Sequence, residues 1–370
     1  MSSSQSNDDV RIVIIGAGMA GILSAIKLQE LGYDNFTIYE KSDRVGGTWR
    51  ENTYPGIACD VPAHLYTYSF EPNPDWSRTF APGPEICEYF ERIAQKYNVH
   101  DYVNFNEAVP YCEFKDGRWH LETSNGRKDV ADVLIAATGV LHVPHVADIP
   151  GLDDFKGSWF HSAQWDHSVP LDGKRVGVIG TGSTAIQITS ALVDRVERFD
   201  LFQRTAQWVM PIEDEPYTEE QKAMFRKDCQ KIEELREQIN VDFDLFSNAV
   251  IDSESQEMKD IEAECLRNLE TVKDPELREK LRPDYRAGCK RLIFSSDFYD
   301  KIQRPNANVV TSGIEKVEAE GIRTEDGELH ELDVLVVATG FRADSFIRPT
   351  TVIGRGGVNL DDAWANSPVA

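Results

Sequence analysis

The sequence lacks any excess of positive charge: 39 Lys and Arg stand against 63 Asp and Glu, a formal net charge of −24. That balance excludes nucleic acid or an anionic membrane surface as the main partner. No apolar run approaches the roughly 20 residues that a helix needs to span a bilayer. The opening residues, Met1 to Asp9, are polar and Ser-rich, without a basic region or an apolar core, so they do not read as a signal peptide. Residues 1–9 are expected to form a disordered tail. The six cysteines (Cys59, Cys87, Cys112, Cys229, Cys265 and Cys289) show no C-x-x-C spacing. That excludes a disulfide framework and a metal site of the zinc type. Each reads as a buried or inert thiol in a reducing, cytoplasmic setting.

What is there is an ordinary globular composition, with 41% hydrophobic and 28% charged residues over 370 positions. That length suits two or three domains. Two glycine fingerprints dominate the pattern. The first is Gly16-Ala17-Gly18-Met19-Ala20-Gly21, and the second is Gly180-Thr181-Gly182-Ser183-Thr184-Ala185. Each follows an apolar run (Ile12 to Ile15; Val176 to Ile179) and opens a helical pattern. A dinucleotide fingerprint needs that strand–turn–helix context. Two such sites suggest two dinucleotides, most simply a flavin that takes hydride from a nicotinamide.

Between and beyond the fingerprints the pattern changes. A helix is expected from about Ala20 to Leu31, stopped by Gly32, and a strand over Phe36 to Tyr39. Residues 46–80, rich in Gly, Pro, Trp and Tyr, read as irregular structure held by aromatic packing. Pro84 to Tyr97 reads as an amphipathic helix. Val133 to Gly139 is an apolar run ending in Ala-Thr-Gly, and Val334 to Gly340 echoes it. The echo suggests that the chain returns to a dinucleotide domain it had left. Glu213 to Asp284 holds 22 acidic and 11 basic residues and reads as acidic helices with solvated faces.

The residues after each fingerprint carry chemistry. In the first, Gly16 permits a tight turn, Gly18 lets backbone approach a pyrophosphate, and Gly21 lets helix and strand pack closely. Glu40 lies 24 residues after Gly16, at the end of the next strand, where a carboxylate accepts ribose hydroxyls. In the second, the residue at the same spacing from Gly180 is Arg204, followed by Thr205. A cation there suits a 2′-phosphate, so this half reads as built for NADP rather than NAD. The plainer alternatives are a ligand-free tight turn and a surface arginine.

The linking segment reads Phe155-x-Gly157-x-x-x-His161-x-x-x-Trp165-Asp166. With it, the chain resembles the type I Baeyer–Villiger monooxygenases of the flavin-containing monooxygenase superfamily. A second signature of that family also matches: Gly46-Gly47-x-Trp49-x-x-x-x-Tyr54-Pro55-Gly56-x-x-x-Asp60. The resemblance runs from Val10 to Ala370 apart from the acidic segment. It implies that Gly47, Thr48 and Trp49 lie at the flavin and that Tyr66 and Val109 contact it. It places Gln187 among the cofactor-binding positions of the second half. It ties His161 to nicotinamide handling and domain motion rather than to acid–base catalysis. The stretch Pro283 to Arg291 resembles the segment that delivers a catalytic arginine, which makes Arg291 that residue and Asp60 its carboxylate partner. Such a pair serves a flavin peroxide that must stay deprotonated, because an always-charged guanidinium stabilises the anion and the oxyanion that follows. A surface Lys-Arg pair and a loop aspartate are the bland alternatives.

The fold class expected is α/β, with two Rossmann-like dinucleotide-binding domains. Residues 10–150 would form the first segment of an FAD-binding domain. Residues 151–331 would form an inserted NADP-binding domain, with an acidic helical insertion at about 213–285. Residues 332–370 would return to the FAD domain and leave it incomplete, since family members continue further. The function implied is NADPH- and O2-dependent oxidation of a small ketone to an ester or lactone. The rivals are an N- or S-oxidising flavin monooxygenase, an NADPH oxidase releasing hydrogen peroxide, and a truncated, non-catalytic nucleotide-binding remnant. Trp165, Asp166, Asp60 and Arg291 favour the first reading, and the early end of the chain favours the remnant.

Overall fold

A computed structural model describes residues 9–252 and 254–365. The expected tail lies outside the described residues, apart from Asp9. The described chain falls into two compact units. One comprises the chain up to Glu51, Ile86–Pro144 and the chain from Phe341 on; the other comprises Asn52–Glu85 and His145–Gly340. Among the described residues, no helix is long and apolar enough to cross a membrane.

The first unit begins with the strand Ile12–Ile15, whose four side chains are all buried. Burial on both faces suits an unbroken β-branched run in a parallel sheet. The strand lies between Phe36–Tyr39 and Val133–Ala136, and Val103–Asn104 completes a parallel four-stranded sheet. The fingerprint helix spans Met19–Glu30 and ends at Gly32, which adopts the left-handed φ of +76° that suits a helix stop. A second sheet orders the strands Thr351–Ile353, Tyr111–Lys115, Arg118–Glu122 and Lys128–Ala131. Val13, Ile15 and Tyr39 meet Cys112, Leu121 and Val352 in one core between the two sheets.

The second unit repeats the plan. Its parallel five-stranded sheet runs Ala307–Val310, Arg198–Phe202, Arg175–Ile179, Val334–Val337 and Ser158–His161. The second fingerprint helix is Ser183–Leu192. An antiparallel three-stranded sheet, Ile314–Glu318, Gly321–Thr324 and Leu329–Glu331, packs Val317 and Ile322 against Phe155, Ile179 and Leu335. The acidic segment is helical over Glu219–Lys227, Gln230–Ile251, Gln256–Leu269 and Pro275–Lys280. Thr218 caps the first of these with a capping box, and Asp274 caps the last. Met258, Cys265 and Ala249 on these helices bury Trp208, Ala287 and Leu292.

Two expected boundaries are corrected. The strand Val334–Val337 is not a return to the first sheet, because it pairs in parallel with Arg175–Ile179 and Ser158–His161. The chain re-enters the first unit only at Phe341. The echoed Ala-Thr-Gly run is therefore the same structural part made twice, once for each sheet. In addition, Asn52–Glu85 belongs to the second unit rather than to the first segment, so Asp60 and Tyr66 sit with the second fingerprint. The segment 46–80 is irregular as expected, apart from one helical turn at Thr48–Glu51.

Candidate active site

The first fingerprint is shaped by close backbone contacts. Gly16 turns with φ +101°, and a Cβ there would lie 2.6 Å from the Ala137 carbonyl oxygen. A Cβ on Gly21 would lie 1.9 Å from the Gly16 carbonyl oxygen, so the helix cannot seat with a larger residue. Gly18 is the N-cap and has no side chain with which to cover the helix N-terminus. The helix therefore offers its first N–H groups and dipole end to an anion, with Ala20 in its first turn. Gly47 approaches Gly18 so closely that a Cβ on it would lie 2.9 Å from the Gly18 Cα. Thr48 and Trp49 follow at once on the turn Thr48–Glu51, with the Trp49 N–H donating to the Gly46 carbonyl.

Glu40 is buried at the end of its strand. Its Oε2 accepts from the Ala17 N–H at 2.7 Å, and its Oε1 accepts from the Ser42 N–H at 2.9 Å. Two backbone donors fix the carboxylate, and each oxygen keeps a lone pair for a further donor. These residues fit a dinucleotide with unphosphorylated ribose hydroxyls. Val109 is buried in the same unit, its carbonyl accepting from the Thr350 hydroxyl at 2.7 Å.

The second fingerprint is similar in backbone but opposite in charge. Gly180 turns with φ +123°, and a Cβ on it would lie 2.4 Å from the Ala338 carbonyl oxygen. Gly182 is the helix N-cap, and a Cβ there would meet nothing within 4 Å. Ser183 buries a hydroxyl oxygen that has no hydrogen-bond partner among the described residues. Buried polar atoms are normally paired, so this orphan fits a ligand phosphate. Ala185, in the third glycine's place, is buried against the sheet. Arg204 is exposed and makes no hydrogen bond or ion pair among the described residues. The Thr181 hydroxyl donates to the Thr205 carbonyl at 2.9 Å and accepts from Gln207 Nε2 at 3.2 Å. Together these groups fit a phosphorylated dinucleotide.

Asp60 and Arg291, 231 residues apart, are brought together. Arg291 donates to Asp60 Oδ2 from Nη2 at 2.5 Å and from Nε at 3.2 Å. The guanidinium side chain is 68% exposed and the carboxylate 20%. Such a pair adds at most about 1 kcal/mol to folding stability, so its value lies in orientation. The arginine's segment is fixed from behind. Arg286 pairs with Glu254 and Glu262, the Ala287 N–H donates to Glu262, and the Trp208 indole donates to the Tyr285 carbonyl. Part of the acidic insertion thus anchors the loop that presents Arg291.

The linking signature divides into packing and polar parts. Phe155 lies in the core, and Gly157 passes so close that a Cβ on it would lie 2.5 Å from the Phe155 ring. Trp165 packs edge-on to Phe160, with centroids 4.9 Å apart. Asp166 is exposed and accepts from the Ser168 N–H and hydroxyl. His161 ends its strand fully buried, with Nδ1 accepting from the Ala163 N–H at 3.1 Å. Burial lowers its pKa, although hydrogen bonding to the Gly340 and His145 backbone opposes that shift, so the ring is neutral at physiological pH. A buried neutral imidazole whose Nδ1 is already engaged suits a structural joint better than a proton shuttle.

The sequence matches the flavin-binding monooxygenase-like family over residues 9–350. The chain belongs to that family. It is 45% identical over 359 residues to an uncharacterized monooxygenase of Mycobacterium tuberculosis, covering 97% of this chain and 72% of that one. It is 40% identical over 363 residues to a Baeyer-Villiger monooxygenase of Streptomyces coelicolor, covering 97% and 70%. Its fold matches the crystal structure of NADP+-bound cyclohexanone monooxygenase from Rhodococcus sp. Phi1, with a TM-score of 0.87 and 31% identity. That match covers 98% of this chain and 76% of the other.

In this flavin-dependent monooxygenase the sequence did not show which of these residues pair with one another. Tyr54 donates to Gln187 Oε1 at 2.9 Å, and Gln187 Nε2 donates to the Ala58 carbonyl at 3.0 Å. Gln187, which the resemblance places among the cofactor-binding positions, thus also holds the loop before Asp60. Tyr285 donates to Gln207 at 3.0 Å, which extends the Thr181–Thr205 network toward the Arg291 segment. Tyr54 was visible within its motif, but its partner lies 133 positions away, beyond any local pattern. Tyr66 is half-buried in the second unit, its N–H donating to the Pro62 carbonyl.

Proposed function

We propose that this monooxygenase carries out an NADPH- and O2-dependent Baeyer–Villiger oxidation, converting a small ketone to an ester or lactone. In this reading the first unit holds FAD and the second holds NADPH. When bound, the flavin accepts hydride from the nicotinamide and passes the electrons to oxygen, the chemistry behind inserting one oxygen atom beside a carbonyl. Glu40, held by the Ala17 and Ser42 N–H groups, accepts from the FAD ribose, and the helix opening at Gly18 faces its pyrophosphate. Gly47, Thr48, Trp49 and Val109, all in the first unit, are the proposed flavin contacts. Ser183 and Thr184 serve the NADPH phosphates from the second helix N-terminus, and Arg204 with Thr205 reads the 2′-phosphate.

The Asp60–Arg291 pair carries the reading. Both bonds from Arg291 go to one oxygen, Oδ2, and its Nη1 is not engaged among the described residues. Asp60 orients the guanidinium, and the Nη1 donors remain available to an oxygen that gains negative charge as the carbonyl is attacked. Oxidation of a sulfide or amine needs no such donor at a developing oxyanion.

The test is turnover of purified, FAD-loaded protein with NADPH, 18O2 and a cyclic ketone, run beside the same mixture with an organic sulfide in place of the ketone. One labelled oxygen in the ring of the lactone is the expected product. Labelled sulfoxide with no lactone would move the protein to the heteroatom oxidisers. NADPH consumption that yields only hydrogen peroxide would make it an oxidase.

A further inference from the structure

We infer that Tyr54 and Gln187 are positioning residues that set the place of Asp60, and through it the orientation of Arg291. The inference rests on the Baeyer–Villiger reading for its catalytic consequence, but on geometry alone for the clamp. The loop from Tyr54 to Asp60 is held on both sides. Toward the second fingerprint helix, the buried Tyr54 hydroxyl donates to Gln187 Oε1 at 2.9 Å and accepts from the Thr184 hydroxyl at 3.4 Å. Gln187 Nε2 returns a bond to the Ala58 carbonyl at 3.0 Å. Gly56, at φ +82°, passes so near that helix that a Cβ would lie 2.5 Å from the Gln187 carbonyl oxygen. On the other side, the Cys59 N–H donates to the Ala81 carbonyl at 3.0 Å, and the Gly83 N–H donates to the Ile57 carbonyl at 2.9 Å.

Asp60 therefore follows directly from a loop pinned to the helix that begins at Gly182. The same side-chain amide grips both ends of the loop, at Tyr54 and at Ala58. Arg291 is mostly exposed and leans on one carboxylate oxygen, so a small displacement of Asp60 re-aims it. Displacements of about 1 Å at reacting groups can cost orders of magnitude in rate. The clamp also joins the first turn of that helix to the Asp60–Arg291 pair through Thr184, Tyr54, Gln187 and Ala58, all within one unit.

The experiment uses the FAD-loaded protein and Tyr54→Phe, which keeps the ring and removes one hydroxyl. Ketone turnover should fall about tenfold, the scale of one neutral hydrogen bond. KM for NADPH should stay within about threefold, because the loss falls on kcat. In an Asp60→Ala background the same change should have no further effect, since residues acting through one another are non-additive. Hydrogen exchange of the 56–63 backbone, measured without substrate or nicotinamide, should rise at least about fivefold in the variant. Equal losses in both backgrounds, undiminished turnover, or a tenfold loss with unchanged exchange would each overturn the clamp. If the parent protein shows no ketone turnover, the Baeyer–Villiger reading fails. The exchange result then decides the clamp alone: faster exchange supports it, and unchanged exchange overturns it.

Discussion

The two fingerprint halves are the same scaffold built twice with opposite charge at one point. Arg11 and Arg175 each stand five residues before a first glycine. The Arg11 N–H donates to Asp132 at 2.8 Å, and the Arg175 N–H donates to Asp333 at 2.9 Å. Each aspartate immediately precedes the neighbouring strand, Val133–Ala136 or Val334–Val337. Each of those strands is followed at once by an alanine, Ala137 or Ala338, whose carbonyl fills the space a Cβ would need on Gly16 or Gly180. The halves part at the end of the second strand, where one buries Glu40 on two backbone donors and the other exposes Arg204. Steric needs fix the turn in both halves, and the charge at the end of the second strand is what separates them.

The strongest way to break this comparison is steric. The Gly21 site and the Ala185 site occupy equal positions, yet only the second tolerates a methyl group. Gly21→Ala would place that methyl 1.9 Å from the Gly16 carbonyl oxygen. We expect a loss of at least about 3 kcal/mol, the upper end for overpacking, with loss of bound flavin. Ala185→Gly should cost only about 1 kcal/mol, the helix-propensity difference. Thermal unfolding and flavin absorbance of both variants check this. Equal losses would mean that the halves are sterically alike.

Arg291→Ala comes next. Ketone oxygenation should fall by a factor of about 100 to 1,000, as for removal of one preorganised donor, while flavin stays bound. Stopped-flow spectra with product analysis measure both quantities. Normal lactone formation in the variant would remove Arg291 from the chemistry.

Arg204→Ala tests the charge difference itself. NADPH binding should weaken by about 10- to 100-fold through loss of a charge-assisted contact, with NADH binding changed less than about threefold. Isothermal titration with the two nucleotides separates these outcomes. Comparable losses for both would detach Arg204 from the 2′-phosphate.

Much of this plan was legible because it is local. The strand Ile12–Ile15, the helix stop at Gly32 and the second strand–turn–helix each follow from contiguous residues. Pairing partners were harder to read. An apolar run such as Val334–Val337 says that a strand is buried, but not which sheet receives it, so it was placed in the wrong unit. The segment 52–85 misled for the same reason, since its contacts with the second fingerprint helix span more than 120 positions. The Asp60–Arg291 pair was legible only because a family signature carries Asp60 and the stretch Pro283 to Arg291 resembles the family segment that carries the arginine. Tyr54 with Gln187 had no such help as a pair, because a glutamine in a helix announces no partner.

The smallest effect sharpens the comparison through pH. Asp132 and Asp333 occupy equivalent positions, and both have lowered pKa values. For Asp132 the main cause is the Arg11 backbone N–H, and for Asp333 it is the Arg175 guanidinium. A carboxyl whose folded pKa is depressed contributes stability above its unfolded value, near 4 by general reference. That contribution fades as pH falls through the folded value. Both groups are about one-third exposed, so each is worth no more than about 1 kcal/mol after solvent screening. Asp132→Asn and Asp333→Asn should therefore lower Tm slightly at pH 7, and each deficit should shrink toward zero below about pH 4. Arg175 grips Asp333 through Nε and Nη2, and Arg118 grips Asp132 through the same two nitrogens while Arg11 sends its side-chain donors to Asp129, so the two variants should show similar deficits. Melting curves of the two variants and the parent from pH 3 to 8 decide it. A deficit that persists unchanged at pH 3 would mean that shape, not charge, holds the two strands at this point.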